Sequence, residues 1–334
     1  MNFDIDFVVL WVDGSDSEWI KSFNSFLSEE LSSKKIDVSE ERYRDAGLLK
    51  YWFRGVEKCA PWVRKIHFVT CGQKPDWLNT DNSKLHLVNH SDYIDSKYLP
   101  LFNSEAIEIS MHKIPDLAEH FVYFNDDFFL TNPIKPEYYF GKNGQINDSA
   151  TFSAPRTTDY SYKLISTELF INENFNKSNA VKIHRQKFLN LKYRRRFFEN
   201  LFYIHNDINK CFLDPSHYSQ PFTKSIFEEV WNCGNKTKLI GTLSNRFRSP
   251  FDVNQYIFRE WALLSGNFNP SNNHKGRNYF GLDRNIDEIC NALLSSKFHE
   301  IVINDRPVDN YNEKIEKIKN TFEKKFPNKS GFEK

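Results

Sequence analysis

Residues 121–132 read FVYFNDDFFLTN, and no other stretch constrains the fold as much. An apolar and aromatic run leads into Asn125-Asp126-Asp127, further apolar residues follow, and Asn132-Pro133 closes the stretch. Valine and aromatics over so short a run, bounded by turn formers, predict a buried strand. Two adjacent carboxylates inside it are costly to bury as charges without a compensating partner. A divalent cation such as Mg2+ or Mn2+ is the partner that suits two hard oxygen anions at a strand end. A solvated Asp pair capping a turn is the alternative.

The same texture recurs upstream. The run from Ile5 to Val12 is almost wholly apolar, as expected of a central parallel strand. It ends at Asp13-Gly14-Ser15-Asp16, where glycine permits close backbone approach. Acids there would sit at the carboxyl end of a strand, where open α/β sheets bind ligands. The plainer reading is a strand–turn–helix joint with Asp16 or Ser17 as N-cap. Residues 17–31 predict a helix with Trp19, Phe23, Phe26 and Leu27 on one face, followed by a polar linker over 33–41. Leu48, Leu49, Trp52, Phe53 and Val56 have helical spacing up to Pro61. Strands are predicted over 65–71 and 85–88, then a turn around Pro100, a helix over 104–114 and the Asp-Asp strand. This alternation predicts an α/β fold: a mostly parallel sheet with flanking helices, of nucleotide-binding type, and a helical C-terminal part.

Several charged groups are candidates for binding. Arg42, Arg44, Lys50 and Arg54 cluster near one helix start, either as a solvated face or as a phosphate site. After about residue 145 the texture changes. A helix over 184–204 carries the basic run Lys192-Tyr193-Arg194-Arg195-Arg196 followed by Phe197-Phe198. A solvated face with acidic partners is the ordinary reading, and a nucleic-acid or membrane-surface patch, the latter as peripheral contact with anionic lipid, is the alternative. His217 stands in a Pro-bounded loop before a helix, a position suited to acid–base work. Arg246 and Arg248, two residues apart on an extended segment, are expected to grip one phosphate together. The tail from Asp309 predicts a charged, peripheral amphipathic helix. The expected division is an α/β half over 1–145, a second half over 146–285 and a helical tail over 286–334.

Composition narrows the function. With 45 basic and 44 acidic residues among 334, no global field favours nucleic acid. Mean hydropathy is −0.62, yet 31 Phe and 15 Tyr mark a folded chain rather than a disordered one. The five cysteines are scattered without CxxC spacing, which argues against a disulfide framework or a zinc site and suits a reducing compartment. The start lacks the basic region of a signal peptide, and no apolar window is long enough for a membrane span. A cytoplasmic protein is expected, with any membrane contact peripheral and on the inner face.

In order and wording, these segments resemble the Stealth family of sugar-phosphate transferases in bacterial capsular and cell-wall polysaccharide synthesis. The animal lysosomal-enzyme N-acetylglucosamine phosphotransferase is related to it. IDFVVLWVDGSDSEW resembles the first family block. The second resembles RYRDAGLLKYWFRGVEKCAPWVRKIHFVTCGQKPDWL, LHLVNHSDYI, LPLFNSEAIE and HKIPDLAEHFVYFNDDFFL, departing at Leu48-Leu49, where Glu-Leu is expected. HYSQPFTKS and NRFRSPFDVNQYIF resemble the third and fourth.

The resemblance implies a GT-A-like or Rossmann-like nucleotide-sugar-binding core. It also implies transfer of a hexose or N-acetylhexosamine 1-phosphate from a UDP-sugar to a hydroxyl of a polysaccharide or lipid-linked repeat unit, releasing UMP. On it, Asp126 and Asp127 would hold Mg2+ or Mn2+, His217 would take the acceptor proton, and Arg248, with Arg246 and Arg44, would stabilise phosphoryl oxygens. Asp13 and Asp16 would meet the nucleoside or metal, and Asp252 would orient Arg248 or the acceptor. Gly14, Asp45, Asn125 and Lys224 complete the expected substrate-binding set. The rival expectations are a metal-dependent GT-A-type glycosyltransferase releasing UDP, and a non-catalytic polysaccharide-binding protein.

Overall fold

The computed structural model describes residues 1–30, 39–154 and 161–334. Most of the linker expected over 33–41, and most of the APRTTDYSY stretch, lie outside the described residues. Four apolar runs form parallel strands: β1 (Ile5–Leu10), β2 (Ile66–Thr70), β3 (Leu85–Asn89) and β4 (His120–Asn125). β1 and β2 are buried along nearly their whole length because helices cover both faces of the sheet, as parallel sheets require. The helices of this half are α1 (Ser17–Glu30), α2 (Leu49–Cys59) and the short α3 (Ser104–Glu108). α2 turns Trp52 and Phe53 into the sheet, against Phe124 and Phe68 at ring-centroid distances of 5.5 and 5.7 Å.

The Asp-Asp stretch is not one strand. β4 ends at Asn125, the chain turns at Asp126-Asp127, and β5 (Phe128–Leu130) leaves for another sheet. The turn takes both carboxylates out of the strand ladder and sets them at the carboxyl end of β4. Likewise the helix expected over 104–114 stops at Glu108 and gives way to a single 3-10 turn over Met111–Lys113.

β6 (Ile146–Asp148) and β7 (Phe152–Ser153) follow, then α4 (Ser161–Asn174) and α5 (Lys177–Ile183). The helix expected over 184–204 is broken into α6 (Arg185–Phe188) and α7 (Arg196–Asn206). Between them Asn190 accepts a hydrogen bond from the backbone of Lys192, and Arg194 takes φ 55°, incompatible with helix propagation. β8 (Phe212–Leu213) pairs with β7, and β9 (Gln220–Thr223) runs antiparallel along β4. The central sheet order is therefore β3-β2-β1-β4-β9, parallel apart from its β9 edge.

Helices α8 (Lys224–Cys233), α9 (Lys236–Ser244) and α10 (Tyr256–Leu264) precede β10 (Phe268–Pro270) and β11 (Arg277–Gly281). After α11 (Ile286–Leu294), β12 (Glu300–Asn304) lies between β11 and β5, antiparallel to β5. α12 (Tyr311–Lys325), expected to be peripheral, buries Ile315, Ile318 and Phe322. Its anchor is Arg54 of α2, whose buried guanidinium pairs with Glu323 at 2.9 Å and Glu333 at 2.7 Å.

Candidate active site

Strand order reverses at β1: β2 and β3 lie on one side and β4 on the other. At such a switch point the loops leaving the carboxyl ends diverge and open a crevice. Leu10 is paired with Asn125, so the chain leaving β1 through Asp13-Gly14 faces Asp126-Asp127 leaving β4. The Asp13 carboxylate accepts from the Ser15 backbone and hydroxyl, while Gln73 brackets the Asp13 peptide unit. Gly14 donates its N–H to the Tyr43 carbonyl at 2.8 Å, and a Cβ there would lie 2.5 Å from that oxygen. That contact holds down the segment carrying Arg44 and Asp45. Tyr43 belongs to an aromatic cluster with Trp19, Phe102 and Phe247. Three segments are thereby clamped one residue or two before Arg44, Ser104 and Arg248.

The crevice is acidic. Burial pushes the Asp126 carboxyl well above the ordinary value, with Asp127 and Asp45 adding repulsion. Burial also raises Asp127, to about 7, against a hydrogen bond from Asn304 at 3.3 Å. Asp45 is raised by burial, and Asp13 contributes. The other oxygen of Asp127, Oδ1, is out of solvent and has no hydrogen-bond partner among the described residues. A carboxylate pair with an orphaned, hard oxygen suits Mg2+ or Mn2+. Among the described residues no three His, Cys, Asp or Glu side chains converge to hold an ion alone. This donor set therefore fits a cation that keeps several waters and shares phosphate oxygens.

His217 is half-buried, its ring edge-on to Phe128, the residue after Asp127, at 5.0 Å and to Tyr279 at 5.7 Å. Burial, with Arg306 and Arg42 adding, holds its imidazole down to about 4. It is therefore neutral near physiological pH and able to accept a proton. Its loop is fixed two residues on: buried Ser219 donates its N–H and hydroxyl to Glu300 at 2.6 and 2.7 Å, and Arg277 grips both Ser219 and Glu300. Tyr279 and Arg306 also line a cavity of about 400 Å3 with Gly281, Asp283, Arg284 and Pro307.

Other expected residues sit elsewhere or are already engaged. Arg248 donates to the Ser104 hydroxyl at 2.7 Å and faces Glu105 and Glu108, and its Nε has no hydrogen-bond partner among the described residues. It reaches the acidic group indirectly, through Tyr123, whose hydroxyl bonds Asn125. Arg246 is held apart from it by the carbonyls of Leu99 and Pro100 and by the Phe26 ring at 4.4 Å. Asp252 is buried and saturated by Asn103, Asn245 and the Ser249 N–H, so it staples its own loop. Asp16 caps α1 by accepting from the Trp19 N–H at 2.8 Å. Arg44 forks onto Asp305 at 2.8 and 2.9 Å and lies over Tyr311. Lys224 follows Thr223, which is paired with His120 at the amino end of β4, and this puts it at the opposite end of the strands from the crevice. Leu48 is core, so the carboxylate this segment sends to the crevice is that of Asp45.

Asn304, Asp305 and Arg306 were not anticipated. β12 pairs with β5 and so delivers them to the Asp127 and His217 side of the crevice. The signal was present: EIVIN followed by Asp-Arg repeats the pattern of an apolar run ending in Asn-Asp seen at β4.

An α/β core with carboxylates, a neutral imidazole and arginines around one switch-point crevice is the equipment of a group-transfer enzyme. The family model described as Stealth protein CR1, conserved region 1, matches residues 3–29, and that for CR2, conserved region 2, matches 42–148. The capsular polysaccharide phosphotransferase WcwK of Streptococcus pneumoniae is 38% identical over 333 residues, covering 99% of this chain and 98% of its own. An exopolysaccharide phosphotransferase of Lactiplantibacillus plantarum is 38% identical over 338 residues, covering 99% and 97%. The receptor polysaccharide phosphotransferase WefC of Streptococcus gordonii is 36% identical over 334 residues, covering 98% of each. The chain belongs to the Stealth family and is a transferase of the phosphotransferase type.

Proposed function

We propose that the protein transfers a hexose or N-acetylhexosamine 1-phosphate from a UDP-sugar to a hydroxyl of a polysaccharide or lipid-linked repeat unit. The observation that carries this reading is the Asp126-Asp127 turn at the β1/β4 switch point, with the orphaned Asp127 oxygen and neutral His217 packed against the next residue, Phe128. The full-length relatives named as polysaccharide phosphotransferases support the acceptor class.

The acceptor oxygen attacks the β-phosphorus, and the bond from that phosphorus to the bridging oxygen breaks. UMP leaves with the bridging oxygen, and a phosphodiester is formed. His217 takes the hydroxyl proton, a role worth roughly 10²–10⁴ in rate. Arg42 and Arg306, flanking His217, and Arg248, behind Tyr123, supply positive potential to the phosphoryl oxygens. Asp126 and Asp127 would hold Mg2+ or Mn2+, which would supply charge neutralisation to the diphosphate. Asp13 and Asp45 complete the acidic wall, and Arg44, locked onto Asp305, braces it. The cavity beside Tyr279 and Arg306 is the natural seat for acceptor sugar.

The test is to incubate the purified protein with UDP-N-acetylhexosamine, Mg2+ and a polysaccharide-derived oligosaccharide, and to identify the nucleotide released. UMP, lost with EDTA and reduced roughly 10²–10⁴-fold by His217→Ala, is the expected result. UDP would instead make the protein a glycosyltransferase that breaks the anomeric bond.

A further inference from the structure

The stripe on α7 that ought to be buried faces outward. Phe198, Leu201, Phe202 and His205 stand at i, i+3, i+4 and i+7, a spacing that ordinarily marks the core face of a helix. Phe198 is 68% exposed, Phe202 63% and Leu201 41%. The opposite face already meets the core: Asn200 is fully buried and bonds the backbone of Ala150, Phe152 and Phe188. Leu191, in the turn before α7, is 80% exposed. Between Leu191 and the stripe lie exposed Lys192, Arg194 and Arg195, the last with a side chain 91% open to solvent. Glu199 is the acid within α7, and it sits 3.5 Å from both Arg195 and Arg196.

We propose that α7 and the turn before it form a docking surface for an anionic lipid bilayer, the apolar stripe entering the headgroup–acyl boundary and the basic run meeting lipid phosphates. Exposed Phe and Leu beside clustered Lys and Arg is the composition of a helix that lies in a membrane interface. Charge complementarity selects lipid over a second copy of this chain. A two-fold contact would set basic run near basic run. The two Phe and two Leu also offer on the order of 400 Å2, below the roughly 800 Å2 per partner of a stable interface. A bilayer sets no such minimum and supplies the counter-charge. Arg196 donates to Asp214 at 2.6 Å, three residues before His217, so the docking helix is tied to the segment that carries the candidate base. The inference does not depend on the proposed reaction, because lipid binding is read without donor or acceptor.

The test is flotation of the full-length protein with phosphatidylcholine vesicles, with and without about 30% phosphatidylglycerol. Binding is expected to the anionic vesicles only and to weaken as salt rises. Phe198→Ser/Phe202→Ser should reduce the bound fraction about tenfold or more, and Phe198→Leu/Phe202→Leu should retain it. A second variant, Lys192→Gln/Arg194→Gln/Arg195→Gln, should abolish the preference for anionic lipid. Circular dichroism should show every variant folded, since the altered side chains are exposed. No flotation of the unmodified protein, equal binding to both vesicles, or binding indifferent to both sets of changes would overturn the proposal. So would a dimer that the Phe198→Ser/Phe202→Ser change dissolves.

Discussion

Asp127 accepts from Asn304 through one oxygen and leaves the other dry and unpartnered, while Asp126 beside it is held against Asp127 and Asp45. Such a group is strained until positive charge arrives. Asp126→Asn removes one repelling carboxylate. In EDTA at mildly alkaline pH this variant should melt above the unmodified chain, and the rise in Tm that Mg2+ gives the unmodified chain should vanish. An equal Mg2+ response in both would place the cation elsewhere. His217 carries a second prediction at this scale. Its imidazole is held down to about 4, so with saturating Mg2+ the acid limb of kcat/KM should fall near that value. An acid limb at the ordinary imidazole value of about 6.5 would show that burial does not govern this side chain.

Close backbone contacts between elements hold these residues in place. Gly55 of α2 lies under β5, where a Cβ would stand 2.5 Å from the Leu130 carbonyl oxygen. Alanine is the better helix former by about 1 kcal/mol, yet the clash is with backbone that cannot swing away. Gly55→Ala should therefore lower Tm, and a rise would show that α2 and β5 separate easily. Arg54, one residue before, joins α2 to the C-terminal segment. Arg54→Ala leaves Glu333, whose side chain is 4% exposed, without its guanidinium and should cost about 3 kcal/mol in chemical denaturation. The same contacts explain why the charged pattern of α12 misled: its polar residues form one face, and the other covers α2 through Phe322, stacked 5.0 Å from Tyr51.

For the whole molecule, buried acids outside the crevice add to the pH response of Asp126 and Asp127. Glu260, buried within α10, is pushed up to about 8 by burial and by Glu168. The folded state thus binds a proton that the unfolded chain, with an ordinary value near 4.5, releases. Stability from this group is complete below about 4.5 and is lost as pH rises through about 8. Glu260→Gln should flatten that decline in denaturation measured at both ends of the window, and an unchanged slope would assign it to other groups.

Local pattern determined the parallel strands, the acids at their carboxyl ends and the segment bearing His217, because apolar runs and turn formers act over a few residues. The family resemblance was legible in the same stretches. Which side chains meet was decided by tertiary structure. Arg246 and Arg248 share an extended segment, but partners far away in sequence, Leu99 and Ser104, pull them apart. Lys224 follows the His217 loop by only a few residues, yet antiparallel pairing of β9 carries it the length of β4 from the crevice. Asn304 and Asp305 join Asp127 and Arg44 across some 180 and 260 residues through the pairing of β12 with β5. Periodicity assigns a residue to a strand or a helix face, whereas non-local pairing chooses its neighbours. The acidic crevice is the product of that choice.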